Sequence, residues 1–296
     1  MERPHNQLRI GLVLSGGGAR GFAHIGVLKV LERNGAKFDV VAGTSMGAIL
    51  GALYANGMRA NDLQELVSST GWTDVVDFSL KTGLMKGDRF KRFLADHLPP
   101  SFEDLQLPFA VTTTDVETGE SVMISEGDLV TSVRASSSFP GAFEPIKYLG
   151  RTLADGGIVN NLPVAAATAL GANRTVASDV SPARYSQFLT PEEEGTWWER
   201  TVASLKLQRR NPMAHMLLRS SDIMQAILVD IQASLQPADL RIRMPMASIG
   251  IEAFIEYQRI IDVGEEAAEK ALNDCGGWST LVTTGGHLEL SQPVIV

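Results

Sequence analysis

A serine held between two glycines is the first feature of this chain that could do chemistry. Ser45 stands between Gly43 and Gly47 in a Gly-x-Ser-x-Gly pattern, directly after the apolar run 38–42. A serine on a tight strand-to-helix turn projects as a nucleophile at the positive end of the helix. The alternative is an ordinary N-capping serine at a glycine-rich helix start. The apolar strand before it and the small-residue helix after it favour the nucleophile.

A second glycine-rich turn, 16–21, follows the apolar run 10–14 and offers a row of backbone N–H groups. Such groups can form an anion nest that holds the oxyanion of a tetrahedral intermediate. Arg20 in this loop could steady the loop, attract an anionic headgroup, or simply be solvated. The predicted oxyanion donors are Gly16, Gly17, Gly18 and Ala19, with Arg20 and Gly21 completing the motif.

The same loop also matches the dinucleotide-binding fingerprint, with glycines at positions 16, 18 and 21. That kind of site needs an acidic residue at the end of the second strand to bind the ribose. Here the strand runs into Ser45, and Asp39 lies at its start. The fingerprint therefore lacks its confirming residue, and titration with a dinucleotide would test this alternative.

A third turn supplies a candidate base. Asp155 precedes Gly156 and Gly157, and glycines allow the backbone to bring a carboxylate close to another group. A plain Asp-Gly turn is the alternative for this segment alone. None of the five histidines has the loop context of a triad base, and His24 is expected to pack or to bond the backbone. Together, the three turns favour a dyad of Ser45 and Asp155.

The surrounding pattern must position these turns at one edge of a sheet. Apolar runs and helical spacing predict strand, helix, strand and helix over 10–14, 22–33, 38–42 and 46–55. That alternation implies a parallel sheet with right-handed crossovers. A helix over 213–231 is predicted to face the core. Further strands are predicted over 109–115, 120–124, 174–180 and 239–244, with helices over 61–69, 88–97, 129–137, 164–170 and 252–272.

Composition limits the possible partners. A net charge of −8 over 296 residues argues against nucleic acid as the main partner, because phosphate binding requires a basic surface. With Cys275 as the single cysteine, the chain forms no intramolecular disulfide. The N-terminal residues carry no secretory pattern, and no apolar run approaches the roughly 20 residues that a bilayer crossing requires. We therefore expect a soluble, cytoplasmic protein, with peripheral membrane contact left open.

In its motifs, the sequence resembles the patatin-like phospholipase family, especially its short bacterial members. The glycine loop, the serine turn and the Asp-Gly-Gly turn occur in the family's order, and segments 134–145 and 160–163 are also similar. The resemblance covers residues 8–183. It implies a three-layer α/β/α sandwich with a mainly parallel central sheet. The rest of the chain resembles the family less, and residues 184–296 are expected to complete the same domain as a helical cover. The resemblance also implies a histidine-free dyad with Ser45 as nucleophile and Asp155 as base.

The same resemblance implies a serine lipid acyl hydrolase that acts through an acyl-enzyme on a lipid or fatty-acyl ester, and this chemistry requires neither metal nor cofactor. An acyltransferase using the same dyad is one alternative, and a non-catalytic binding protein that keeps the fold is another. Segment 185–235, with Trp197 and Trp198, is expected to be a helical cover, or else a lid that contacts a membrane. The oligomeric state is left open.

Overall fold

A computed structural model describes residues 8–75, 87–181, 212–246 and 248–283 of the chain. Its centre is an eight-stranded mixed sheet. The strands are β1 (Ile10–Leu14), β2 (Val40–Thr44), β3 (Phe109–Asp115), β4 (Ser121–Ile124), β5 (Ile146–Tyr148), β6 (Arg151–Asp155), β7 (Arg174–Asp179) and β8 (Leu240–Arg243). They lie in the order β5-β6-β3-β2-β1-β7-β8, with β4 paired to β3. The five strands from β3 to β8 in that order run parallel, and β4, β5 and β6 pair antiparallel.

Helices cover the sheet. Because β1 is buried on both faces, Leu12 and Leu14 pack into one apolar cluster, whereas Val13 packs into another. This arrangement confirms the predicted three-layer α/β/α fold with a mainly parallel sheet. The helices are α1 (Ala23–Arg33), α2 (Met46–Ala55), α3 (Ala60–Ser69), α4 (Trp72–Val75), α5 (Asp88–His97), α6 (Leu129–Ser136), α7 (Val164–Ala169), α8 (Pro212–Leu235), α9 (Tyr257–Asp274) and α10 (Trp278–Thr283).

Strand β2 begins two residues later than the sequence pattern predicts, at Val40 rather than Phe38. The reason is Asp39, whose carboxylate accepts a hydrogen bond from the Ile10 N–H at 2.8 Å, at the start of β1. Asp39 therefore lies at the opposite end of the sheet from Ser45. That position gives no support to the dinucleotide alternative, which needs a carboxylate beside the glycine loop.

A short hairpin escaped prediction, although its second strand ends in Asp155. Strands β5 and β6 are joined by the two-residue loop Leu149-Gly150, and both loop residues have positive φ, at 54° and 71°. Such turns usually contain Asn-Gly or Asp-Gly. With leucine at the first position and strands of three and five residues, the hairpin carries little sequence signal.

Contrary to the sequence prediction, helix α8 does not turn its apolar face to the core. Its inner face carries the buried Ala226 and Val229, but also Asp222 and Gln232, whose side chains form hydrogen bonds with the rest of the protein. The apolar residues that predicted a core-facing helix lie mostly on the outer face. Among the side chains of α8 that the structure describes, six large apolar ones are exposed: Met216, Ile223, Met224, Ile227, Ile231 and Leu235. The predicted lid segment is described only from Pro212 onward, so Trp197 and Trp198 lie outside the described residues.

The last third of the chain adds to the same sheet and helix layers. Strand β8 pairs with β7, and helix α9 packs against α1, where Gly26 meets the backbone of α9 closely. We therefore keep the proposal that residues 184–296 complete the domain built by 8–183. In the described parts of the chain, no helix has the length and apolarity to span a membrane.

Candidate active site

Ser45 occupies a strained turn between β2 and α2. Its backbone has φ 54° and ψ −122°, a region that non-glycine residues rarely adopt. Glycines make this turn possible, because a Cβ at Gly43 would collide with the backbone of Gly47, and one at Gly47 would collide with the Leu14 carbonyl. The turn places the serine hydroxyl at the carboxyl end of the parallel strands, beside the N-terminus of α2.

Asp155 meets the serine from the end of β6. The Ser45 hydroxyl donates to Oδ2 of Asp155 at 2.7 Å, and the Gly157 N–H donates to Oδ1 at 2.7 Å. Only 2% of Asp155 is exposed. Burial raises the pKa of this carboxyl to about 6, and the hydrogen bonds from Ser45 and Gly157 oppose the rise. A carboxylate with such a pKa can take a proton near neutral pH.

Helix α6 and the loop after it hold both residues in place. The Ser136 hydroxyl accepts from the Ser45 N–H at 3.0 Å and donates to the Thr112 carbonyl at 2.7 Å. The Asp155 N–H donates to the Ser138 carbonyl at 3.0 Å. Ser136 was not predicted as a site residue. The similarity of segment 134–145 to the family is the sequence feature that could have identified it.

The glycine loop lies against the nucleophile, but only part of it is free to bind an oxyanion. The N–H groups of Gly16 and Ala19 already donate to the carbonyls of Asn161 and Ile251, at 3.2 and 2.8 Å. For Gly17 and Gly18, the described residues provide no acceptor. Of the four predicted donors, Gly17 and Gly18 are therefore the ones whose N–H groups have no acceptor among the described residues, and their role stays a prediction.

The remaining motif glycines allow close packing around the dyad. A Cβ at Gly21 would overlap the Met46 side chain, and one at Gly156 would overlap the Thr112 carbonyl. Gly21 thus brings the glycine loop onto the start of α2, and Gly156 brings the base onto β3.

Arg20 points into the protein and is 5% exposed. Its guanidinium forms a bidentate pair with the Asp222 carboxylate of α8, at 2.9 Å for each bond, and donates to the Ile249 carbonyl at 2.7 Å. Of the three roles considered from sequence, the structure supports loop steadying. Asp222 was not predicted, because no local pattern indicates which helix lies above the loop.

His24 is fully buried and has a structural role. Its Nε2 donates to the Ser15 carbonyl at 2.8 Å, so its Nδ1 accepts from the Ser178 hydroxyl at 2.7 Å. Burial lowers its pKa to about 4, against the opposing effects of the Ser15 hydrogen bond and of Asp179. The ring is therefore neutral at physiological pH and holds the end of β1 to β7, as expected from the sequence.

A narrow, mostly apolar cavity of about 60 Å³ opens beside the dyad. A single buried water needs about 10–15 Å³, so the cavity has room for only a few waters. A long acyl chain therefore enters only if the walls of the cavity separate. Among the described residues, no group of three or more His, Cys, Asp or Glu side chains is placed to hold a metal ion. The apolar lining consists of Met46, Ile49, Phe90, Phe139, Ala142, Phe143, Ile251 and Phe254, and α8 contributes Ser221, Asp222 and Gln225.

The part of the chain that carries Ser45 and Asp155 is similar to known proteins. Residues 12–168 match the family model described as patatin-like phospholipase. An uncharacterized NTE family protein of Mycobacterium tuberculosis is 34% identical over 206 residues, covering 66% of this chain and 56% of the relative. The lysophospholipase NTE1 of Mycosarcoma maydis is 31% identical over 299 residues, covering 92% of this chain and 15% of the relative. The chain thus spans about half, or far less, of these relatives' lengths.

The fold itself has a solved counterpart. VipD from Legionella pneumophila superposes with a TM-score of 0.61 at 16% sequence identity, over 90% of this chain and 67% of VipD. At that identity the likeness concerns the fold. It agrees with the three-layer architecture described above.

Proposed function

The chain belongs to the patatin-like phospholipase family, and from this premise we propose that it is a serine lipid acyl hydrolase working through a Ser45–Asp155 dyad. One observation carries the proposal: the 2.7 Å hydrogen bond between a serine on a strained turn and a buried carboxylate. A nucleophile within hydrogen-bond reach of its base is the arrangement that covalent catalysis requires.

In the proposed reaction, Asp155 takes the hydroxyl proton as Ser45 Oγ attacks the ester carbonyl. The N–H groups of Gly17 and Gly18 stabilise the oxyanion, helped by the positive end of α2. Collapse of the intermediate passes the proton from Asp155 to the leaving alcohol and leaves an acyl group on Ser45. Water then attacks the acyl-enzyme, again with Asp155 as base, and the fatty acid is released.

Release of fatty acid from a lysophospholipid tests this proposal, and the lysophospholipase among the relatives motivates the choice of substrate. We expect hydrolysis of both a lysophospholipid and a short-chain nitrophenyl ester. An added alcohol that captures most of the acyl group would indicate an acyltransferase instead. No release from either substrate, by folded protein, would contradict the proposal and favour a binding protein.

The rate should depend on pH through the base. Asp155 acts only as the carboxylate, and its pKa is about 6. We therefore expect kcat/KM to fall about tenfold per pH unit below pH 6 and to level off above pH 7. The measurement is ester hydrolysis from about pH 5 to pH 8. A profile that stays flat through pH 6 would contradict the assignment of Asp155 as base.

We further propose that the outer face of α8 contacts the lipid surface that holds the substrate. The six exposed apolar side chains of α8 lie on the outer side of the helix whose inner side lines the cavity. Its two acidic residues, Asp222 and Asp230, bond back to arginines of the protein. A lipid surface suits the outer face of α8, because this face is apolar and belongs to the helix that lines the cavity. With a net charge of −8, a zwitterionic surface is the more suitable partner.

Two negative charges introduced on this face should weaken lipid binding without changing the reaction at Ser45. In the double variant Met224→Glu with Ile231→Glu, both altered side chains are exposed in the parent, at 61% and 47%. We expect binding to phosphatidylcholine vesicles and hydrolysis of vesicle lipid to fall about tenfold or more, because the glutamates oppose insertion. Hydrolysis of a soluble nitrophenyl ester should be unchanged.

A matched control adds the same charge elsewhere. Asn61→Glu with Ser68→Glu changes two exposed positions of α3, a helix that packs on α1. This control should bind vesicles like the parent. Equal loss in both double variants would mean that net charge alone matters, and a dimer converted to monomers by the α8 variant would identify the face as a contact between copies.

A further inference from the structure

Asn161 carries an unused acceptor beside the dyad. It is 2% exposed, and its Nδ2 donates to the Gly16 carbonyl and to the Ser181 hydroxyl, both at 3.1 Å. The Gly16 carbonyl fixes the orientation of the amide, because the flipped amide would place two oxygens against each other. The buried Oδ1 then has no hydrogen-bond donor among the described residues.

This oxygen lies between the glycine loop and the Asp-Gly-Gly turn. A Cβ at Gly16 would lie 2.5 Å from Asn161 Oδ1 and 3.0 Å from the Ser45 Cβ. A Cβ at Gly157 would lie 2.9 Å from the same oxygen and 3.0 Å from Oδ1 of Asp155. Asn161 also lines the cavity that contains the dyad. Its Oδ1 is buried, so a small molecule held against Ser45 reaches this oxygen once the cavity walls move apart.

Leaving a buried acceptor unpaired costs free energy, because the group gives up its hydrogen bonds to water and gains none in the protein. Such an exception in a native structure calls for a ligand or a water. A water that attacks an acyl-enzyme has two hydrogens, and the base accepts only one of them. The second hydrogen needs an acceptor on the same side of the cavity.

We propose that Asn161 Oδ1 accepts this second hydrogen bond and so positions the water that hydrolyses the acyl-enzyme. Asn161 is a positioning residue, and the inference rests on the function proposed above. It explains an otherwise costly feature: the amide holds the loop through Nδ2 and the water through Oδ1.

The step is balanced. The water oxygen forms a bond to the acyl carbon, and one proton passes to the Asp155 carboxylate while the other hydrogen stays bonded toward Asn161. The intermediate then collapses, the bond from carbon to Ser45 Oγ breaks, and Oγ takes the proton back from Asp155. The fatty acid leaves with the second hydrogen, and Asn161 is unchanged.

Separate measurement of acylation and deacylation tests the role. With a nitrophenyl ester, single-turnover release of nitrophenol reports acylation, and acid-quenched acyl-enzyme reports deacylation. For Asn161→Ala we expect acylation within about threefold of the parent and deacylation slower by about 10- to 100-fold, as expected for lost orientation. The acyl-enzyme should accumulate, and hydroxylamine, a stronger nucleophile, should speed its breakdown.

Control variants separate positioning from support of the loop. Ser181→Ala removes one Nδ2 partner and leaves Oδ1 in place, so its deacylation should stay within about threefold of the parent. If Asn161→Ala does not fold, Asn161→Ser is measured instead, with the same expected separation of rates.

Equal slowing of acylation and deacylation in the Asn161 variant would overturn the inference, because it would show that the amide only supports the oxyanion loop. Accumulation that hydroxylamine does not relieve would also overturn it. A parent protein that forms no acyl group on Ser45 would instead contradict the proposed function itself.

Discussion

Ser45→Ala should lower ester hydrolysis by at least about 10⁴-fold while the protein stays folded. The magnitude follows from the loss of the nucleophile, since single removals of this kind cost about 10⁴- to 10⁶-fold in kcat. The substitution keeps the Cβ at φ 54° and removes one hydroxyl, so the packing of the turn is preserved. The measurement is kcat/KM with a nitrophenyl ester, together with the melting temperature.

A buried serine away from the cavity provides the matched control. Ser132 on α6 is fully buried and donates to the Asp128 carbonyl at 2.7 Å, so Ser132→Ala also removes one buried hydroxyl. This control should keep the parent's activity per folded molecule. Retention of more than a few per cent of activity by Ser45→Ala would rule out Ser45 as the nucleophile.

Asp155→Asn should lower activity by about 10³-fold or more, because an amide cannot take the proton from Ser45 Oγ. It should not lower stability at neutral pH. The folded-state pKa of Asp155 lies above its ordinary value, so ionisation favours the unfolded chain. This penalty grows as pH rises from about 4 to 6 and is complete above pH 6, where a neutral side chain avoids it.

The two readouts together distinguish a base from a structural carboxylate. Thermal melting at pH 7.5 should give Asp155→Asn a melting temperature equal to or above the parent's, and its residual rate should show no inflection near pH 6. A structural carboxylate would behave in the opposite way: the variant would melt earlier, and the activity of the folded fraction would be preserved.

The proximity of Ser45 and Asp155 could be predicted from the sequence, because each residue lies on a local glycine-rich turn. Ser45 needs Gly43 and Gly47 beside it for steric reasons, and Asp155 needs the two glycines after it. These steric requirements are therefore visible as glycines close to each residue in the sequence. The parallel sheet could also be predicted from local sequence, because apolar strands alternate with amphipathic helices. Strand β2 begins two residues later than predicted, at the point where the Asp39 carboxylate bonds to β1.

The features that could not be predicted depend on contacts far apart in the chain. Arg20 and Asp222 are 202 residues apart, and no periodicity predicts their ion pair. Apolar spacing on α8 identified a helix correctly but not the direction of its apolar face, because spacing alone cannot say which side meets the protein. Likewise, the free acceptor on Asn161 depends on where Gly16, Ser181 and the cavity lie in space.

The most direct test of the central claim is to identify the acylated residue. The protein is mixed with a nitrophenyl fatty-acyl ester, quenched in acid during turnover, and digested for mass spectrometry. We expect one acyl group, on the peptide that contains Ser45, and none when Ser45→Ala is treated in the same way. An acyl group on another residue, or one that persists in Ser45→Ala, would contradict the role of Ser45 as the nucleophile.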